Sequence, residues 1–423
     1  VAAALVSAAL VLTACGGSGS AESTGEVGGS IDYSFWGSPA RAEKVGQVID
    51  LFSTEYSEAT VGTDVADYTA YVERLTVRAA GDGLACVIGT QSTFAAPYAQ
   101  QGVLRPLDDL VDDGTIAVDG FADDVLAAGQ IDGEQYIVPT GVFVRLLGYN
   151  EAMVAASGAP APSEDFTWEQ YGDWLREVQA GLPEGTYASE LEAVNMFSFT
   201  SWVIGHGEAM FDGDALAFDK ELMVDWFDFW LSLTDDGVTV PPSMIADQFG
   251  ALELAPMALG VAASGTRDIP HLYINEQVLK GAGQDTRVLQ VGMPSEDADQ
   301  PANVIGINGL SIPQSCDNVA TAGAFSNFFA NDPGAALAFQ SDNGVVANTA
   351  GQDALLADAA TPEGVKQNVT ILRGLTDAGE IATTTYPASL ASLTSELRRT
   401  YEDVAFGRAS VQESVDAFFE SAE

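Results

Sequence analysis

Between Ile31 and Ile88 the chain passes from strand period to helix period and back, and this alternation restricts the fold more than any other feature. Ile31-Asp32-Tyr33-Ser34-Phe35-Trp36 alternates apolar and polar residues, as a half-buried strand does. Gly37-Ser38-Pro39 breaks it, with Pro39 suited to the start of a helix. Val45, Val48, Ile49 and Phe52 then share one helical face, and Tyr68, Tyr71, Val72 and Leu75 share another. Gly81-Asp82-Gly83 ends the second helix, and Leu84 to Ile88 reads as a buried strand. Such alternation predicts an α/β class with a mainly parallel, layered lobe. The 423 residues exceed what one core holds, so two lobes are expected. Farther on, Leu222, Met223, Trp226, Phe227 and Trp230 form an apolar helical stripe that reads as core packing. Val304 to Ile312 returns as a strand, and the final hundred or so residues read as helices broken by Gly and Pro.

Charge narrows the function. The net charge of −45, from 61 acidic against 16 basic residues, repels phosphate backbones and argues against nucleic-acid binding. It admits a cationic ligand, but the acids are scattered, which suits a solvated acidic coat. No phosphate-binding loop, dinucleotide fingerprint, serine-hydrolase elbow or zinc-protease motif occurs, so no cofactor is expected. His206 and His271 lack the spacing of a metal pair, and no metal site is expected. Carboxylates are too numerous for counting to exclude a glycosidase pair, but none stands in a motif that marks it.

The N-terminus carries an apolar stretch, Ala2 to Val11, then Leu12-Thr13-Ala14-Cys15 and the flexible Gly16-Gly17-Ser18-Gly19-Ser20. An apolar run ending in small residues reads as a secretory signal. Its last four residues resemble the lipobox of bacterial lipoproteins. That resemblance implies a signal peptide over 1–14, lipid on Cys15, a linker over 15–30 and a place on the extracellular face of the cell membrane. A plain secretory signal is the other reading. No later apolar run is long enough to span a bilayer, so the body is expected to be soluble and tethered. Export also permits a disulfide between the remaining cysteines, Cys86 and Cys316.

From Ile31 onward the chain resembles the extracellular solute-binding proteins of ABC importers, specifically the sugar-binding group related to maltose-binding protein. The segments that carry this are Tyr33-Ser34-Phe35-Trp36-Gly37-Ser38, Arg78 to Gly83 (RAAGDG), Tyr98 to Leu110 (YAQQGVLRPLDDL) and Ile131 to Pro139 (IDGEQYIVP). Leu147-Gly148-Tyr149-Asn150, Phe166-Thr167-Trp168, Ser264 to Pro270 (SGTRDIP) and Gly309 to Pro313 (GLSIP) follow in the same order. The resemblance implies a two-lobe periplasmic-binding-protein-like fold with a hinge and an interlobe cleft. Residues 31–141 plus 303–343 would form one lobe, and 142–302 plus 344–423 the other. A carbohydrate would be held in the cleft by hinge closure and delivered to ABC permease subunits, with no bond made or broken. The protein would act as a monomer and not as an enzyme. In the resembled fold the strands next to Cys86 and Cys316 are antiparallel neighbours, so the two could be bonded; two free thiols are the alternative.

A sugar site needs aromatic platforms and polar groups for hydroxyls. Trp36 ends the first strand, where ligands collect in open α/β sheets; it could instead pack under the loop. Phe199 and Trp202 stand in a segment where similar proteins place platforms, or else are core. Thr90 and Gln91 follow the strand ending at Ile88 and are expected to face the cleft or cap a loop. Arg145 follows the first crossing and would either enter the cleft or brace the hinge. Arg267 stands where relatives usually carry Trp; it could stack on a sugar, fork an acidic one, or form a local pair such as one with Asp268. Tyr386 is a candidate from the second lobe. A polyamine ligand and a surface glycoside hydrolase are the alternative functions.

Overall fold

The computed structural model describes residues 25–81, 83–248, 252–297 and 300–422. The expected signal segment and Cys15 lie outside the described residues. The first strand, Gly29–Trp36, pairs in parallel with Ala59–Ala66 on one side and Val87–Gln91 on the other. Ser38 and Asp67 cap the two following helices by accepting from Arg41 N–H and Ala70 N–H. Helix Pro39–Glu55 buries Val45, Val48 and Phe52, and helix Tyr68–Ala79 buries Tyr71 and Leu75. Tyr68, read as part of the packing face, is instead 46% exposed. It is the first residue of its helix, where its hydroxyl reaches Gln91 at the end of the neighbouring strand.

The expected parallel lobe holds only for these three strands. Asn303–Ser311 enters next to Val87–Gln91 in the antiparallel sense and pairs antiparallel with the long strand Val138–Asn150. Ala262–Asp268 is antiparallel to the far end of that strand and parallel to Tyr187–Ser189, while Val288–Val291 and Val345–Val346 also pair with the long strand and Ile381–Ala382 with Asn303–Ser311. The buried strand expected at Leu84 to Ile88 lies at Val87–Gln91, because pairing with Tyr33 and Ser34 begins only at Val87.

Two hydrophobic cores flank this sheet. Val138, Val142, Val144 and Leu146 belong to the first, and Leu147 and Tyr149 to the second. One strand thus threads both. Its even-numbered face is covered by the first core up to Leu146 and by a small cluster of Met257 and Leu272 at Gly148. Its odd-numbered face is open at Phe143 and Arg145, then covered by the second core at Leu147 and Tyr149. Helix Lys220–Asp235 buries Met223, Trp226, Phe227 and Trp230 in that second core, where the Trp226 indole donates to Ala193 O at 3.0 Å. Buried residues from Val345 to Leu375 pack with the first core, and the chain rejoins the second at Tyr386. Among the described residues no helix is long and apolar enough to cross a membrane.

Cys86 and Cys316 form a disulfide with Cα atoms 4.7 Å apart. It ties the start of Val87–Gln91 to the segment just after Asn303–Ser311, closing a loop over a sequence separation of 230. Long loops lose the most entropy on cross-linking. Replacing both cysteines by Ala is expected to lower stability by about 2–5 kcal/mol in a denaturant melt. An unchanged midpoint would contradict this.

Candidate functional site

A cleft of about 550 Å³ opens where the crossing strands are uncovered. Its volume lies within the usual range for small-molecule sites. The exposed face of Val138–Asn150 supplies Phe143 and Arg145. Gly306 stands opposite Phe143 across the strand pair, and a Cβ there would fall 2.1 Å from the Phe143 ring. A residue without a side chain is what lets this ring lie on the sheet.

The wall from the first core carries Trp36, Tyr68 and Gln91. Tyr68 donates its hydroxyl to Gln91 Oε1 at 2.9 Å. Trp36 is only 8% exposed and meets Tyr68 edge-on at 5.7 Å, with Tyr71 at 5.4 Å behind it. Trp36 therefore buttresses the wall, and Tyr68 presents the freer ring. Beside them Arg41 donates from Nε to Asp342 Oδ1 at 2.6 Å and from Nη1 to Trp36 O at 3.1 Å. Lys44 binds the other Asp342 oxygen at 2.9 Å. Burial would raise the Asp342 carboxyl, but the hydrogen bonds and charges of Arg41 and Lys44 outweigh it and hold the group below its ordinary value.

The opposite wall is built on Arg145. In the antiparallel register Arg145 lies directly across from Asp268, and Nη2 reaches Asp268 Oδ1 at 3.2 Å. The guanidinium also sits 5.5 Å above the Phe197 ring, and Tyr386 meets that ring edge-on at 5.9 Å. His271 Nδ1 lies 3.5 Å from Asp268 Oδ2. Its side chain lines the cleft and is 43% exposed, and what burial it has lowers its pKa. Asp268 opposes that shift, and Arg145 and Arg267 reinforce it. The charged cleft residues thus form two compensated pairs, Arg41 with Asp342 and Arg145 with Asp268.

Of the expected contacts, Trp36, Gln91, Arg145 and Tyr386 line this cleft. Thr90, Phe199, Trp202 and Arg267 do not. Thr90 is fully buried with its hydroxyl 2.7 Å from Ser311 Oγ. Successive side chains on a strand point to opposite faces, so Thr90 and Gln91 cannot both enter the cleft. The same rule separates Arg267 from Asp268. Arg267 points into the second lobe, where Nη1 and Nη2 reach the buried Glu190 carboxylate at 2.6 and 2.7 Å. Phe199 and Trp202 lie on the buried face of helix Met196–Gly205, against Phe218 and Trp168 respectively. Phe197 is the ring on the open side. It was missed with Tyr68, His271 and Asp342; helical phase within the Phe197 to Trp202 segment was the available signal for it.

The glutamates behind this wall fix its shape. Glu192, fully buried, accepts from Thr266 N at 2.9 Å, Asn195 Nδ2 at 2.8 Å and Ser198 Oγ at 2.9 Å. It therefore pins the start of the Phe197 helix to the strand that carries Asp268. Burial raises the Glu190 carboxyl, with Arg267 pulling the other way.

The family profile described as bacterial extracellular solute-binding protein matches residues 47–371. A Brucella abortus protein described as a binding protein is 24% identical over 201 residues, covering 46% of this chain and 47% of the relative. The match thus spans about half the length of such curated relatives. A periplasmic oligogalacturonide binding protein from Yersinia enterocolitica, solved with saturated digalacturonic acid, superposes with a TM-score of 0.74 at 18% identity. The match covers 93% of this chain and 97% of that one. UgpB from Mycobacterium tuberculosis, solved with glycerophosphocholine, gives 0.71 at 20% identity, again over 93% and 97%. Both likenesses establish the same two-lobe α/β fold.

Glu190→Gln should destabilise the protein by about 3–5 kcal/mol in a denaturant melt, because it leaves Arg267 charged and buried. The Glu190→Leu, Arg267→Met pair should cost much less; equal losses would contradict the pairing. Asp342 titrates lower in the fold than when unfolded, so its contribution is present above the ordinary value of 3.8 and is lost as pH falls below it. The gap in melting temperature between wild type and Asp342→Asn should therefore be full at about pH 7 and shrink toward about pH 2. A gap that grows on acidification would contradict the assignment.

Proposed function

The chain belongs to the bacterial extracellular solute-binding proteins, and on that premise we propose that it captures a neutral carbohydrate in the cleft between its lobes and delivers it to an ABC permease. The observation that carries this reading is the pairing of aromatic walls with compensated charge. Tyr68 and Phe143 offer rings from one side of the cleft, and Phe197 and Tyr273 from the other, with the buried Tyr386 backing Phe197. Rings of this kind suit the weakly apolar faces of sugars. The ligand named for the Yersinia relative is also a sugar, an acidic one, and that named for the mycobacterial one carries a glycerol group, so the two support a hydroxyl-bearing ligand and leave its charge to be tested.

The same observation weighs against the alternatives. A polyamine needs free carboxylates, yet the acids that line the cleft, Asp268 and Asp342, each already hold an arginine. A glycosidase needs one carboxyl kept protonated near neutral pH. Asp342 is instead held ionised. In this reading the lobes move against each other about the crossing strands, with the segment from Val345 to Leu375 travelling with the first lobe, where its buried residues pack, and ligand stabilises the closed arrangement. Signal cleavage before Cys15 and lipid on its thiol would hold the monomeric receptor at the extracellular face of the membrane.

Thermal-shift and calorimetric screening of residues 25–423 with neutral mono- and oligosaccharides, uronates and spermidine tests the ligand class. A neutral sugar should raise the melting temperature. Tyr68→Ala and Phe197→Ala should each weaken its binding by roughly 10- to 100-fold, on the scale of one lost aromatic contact. Response to spermidine alone, or release of hydrolysis products, would overturn the proposal.

A further inference from the structure

Helix Glu363–Ala378 belongs to the first core, where it buries Val369, Leu372 and Leu375. At its start it meets the other lobe. Tyr273, from the helix that follows Ala262–Asp268, sets its ring against Gly364, where a Cβ would stand 2.4 Å from the ring. A residue without a side chain lets the two helices approach this closely. Val365 and, one turn beyond Gly364, Asn368 line the cleft together with Tyr273.

Asn368 breaks the pattern of its helix. It stands on the face that carries Gly364, Val365 and Leu372, and it is only 5% exposed. A helix built for packing alone would place an apolar residue there. Asparagine is also a poor helix former. Among the described residues its amide has no hydrogen-bond partner, yet neither Oδ1 nor Nδ2 is closed off from solvent. The small surface that Asn368 keeps therefore includes both ends of the amide, and it opens on the cleft. Several other polar groups of the cleft are already engaged: Gln91 holds Tyr68, Asn308 holds Asn343, and Asp268 and Asp342 hold arginines. Residues that break a local rule of helix and packing in natural proteins concentrate at functional sites.

We infer that the Asn368 amide is a ligand contact that reads two neighbouring hydroxyls, one donating to Oδ1 and the other accepting from Nδ2. The inference rests on the carbohydrate reading above and deepens it. A carboxamide presents an acceptor and a donor side by side. A carboxylate or phosphate answers only the donor, and an ammonium only the acceptor. Adjacent hydroxyls of a sugar ring answer both. Asn368 is carried by the first core, so a ligand held between it and the Phe197 wall bridges the lobes and favours the arrangement in which Tyr273 rests on Gly364.

The test pairs ligand-free melting with calorimetry of glucose, maltose, trehalose, galacturonate and spermidine on wild type, Asn368→Ala and Asn368→Leu. Without ligand both variants should melt at or above the wild-type temperature, because each removes an unpartnered amide and improves the helix. Affinity for the neutral sugar that binds should fall by about 10- to 100-fold in both. Monodeoxy analogues of that sugar supply an arm independent of the variants' folding. Two adjacent positions should each cost wild type about 10-fold and cost Asn368→Ala little. Sugar binding to Asn368→Ala within about 3-fold of wild type would overturn the inference and leave the carbohydrate reading standing, as would a loss confined to the bulkier Asn368→Leu. Ligand-free melting that falls by more than about 5 °C in both variants would make Asn368 a structural residue and also overturn it. No response of wild type to any of the neutral sugars would overturn both.

Discussion

The structure depends on one strand that must be buried twice. Val138–Asn150 has a side-chain period of two, so its two faces are chemically independent along its length. The first core covers one face as far as Leu146, beyond which Met257 and Leu272 of a smaller cluster lie against Gly148. The other face passes from open cleft at Arg145 to second core at Leu147. No turn separates the lobes there. The boundary between them is instead set by where apolar cover ends on that face. Phe143 and Arg145 become cleft residues because the strand continues and the core does not.

That arrangement explains how charge is managed in a strongly acidic chain. With 61 acids against 16 bases, most carboxylates can only be solvated. The basic residues near the cleft are placed where they compensate particular acids. Arg145 meets Asp268 through strand register, and Arg41 reaches Asp342 from the first helix. Behind the wall, Arg267 compensates Glu190 where an unpaired charge would be costly. Two arginines on neighbouring strands therefore do different work, one toward ligand space and one within the core.

Much of this was legible in the sequence, and the misses have identifiable physical origins. The first strand, its two helices and the apolar stripe of the Trp226 helix follow from periodicity, since burial enforces it locally. Trp36, Gln91 and Arg145, read from their places at strand ends and a crossing, line the cleft, as does Tyr386. Thr90 and Arg267 failed through parity, because a strand sends neighbours to opposite faces and the sequence does not mark which is inward. Phe199 and Trp202 failed through helical phase, since a helix apolar on most sides hides its open face. Asp342 meets Arg41 across a sequence separation of 301, a relation that only the assembled fold reveals.

The central claim is that ligand binds on the uncovered face of the crossing strands. Hydrogen exchange of the protein with and without a saturating mixture of neutral oligosaccharides tests it most directly. The account predicts new protection at residues 304–308 and 341–344, together with the start of the helix that carries Phe197. Protection confined to residues outside the cleft, or no change at the crossing strands, would contradict it.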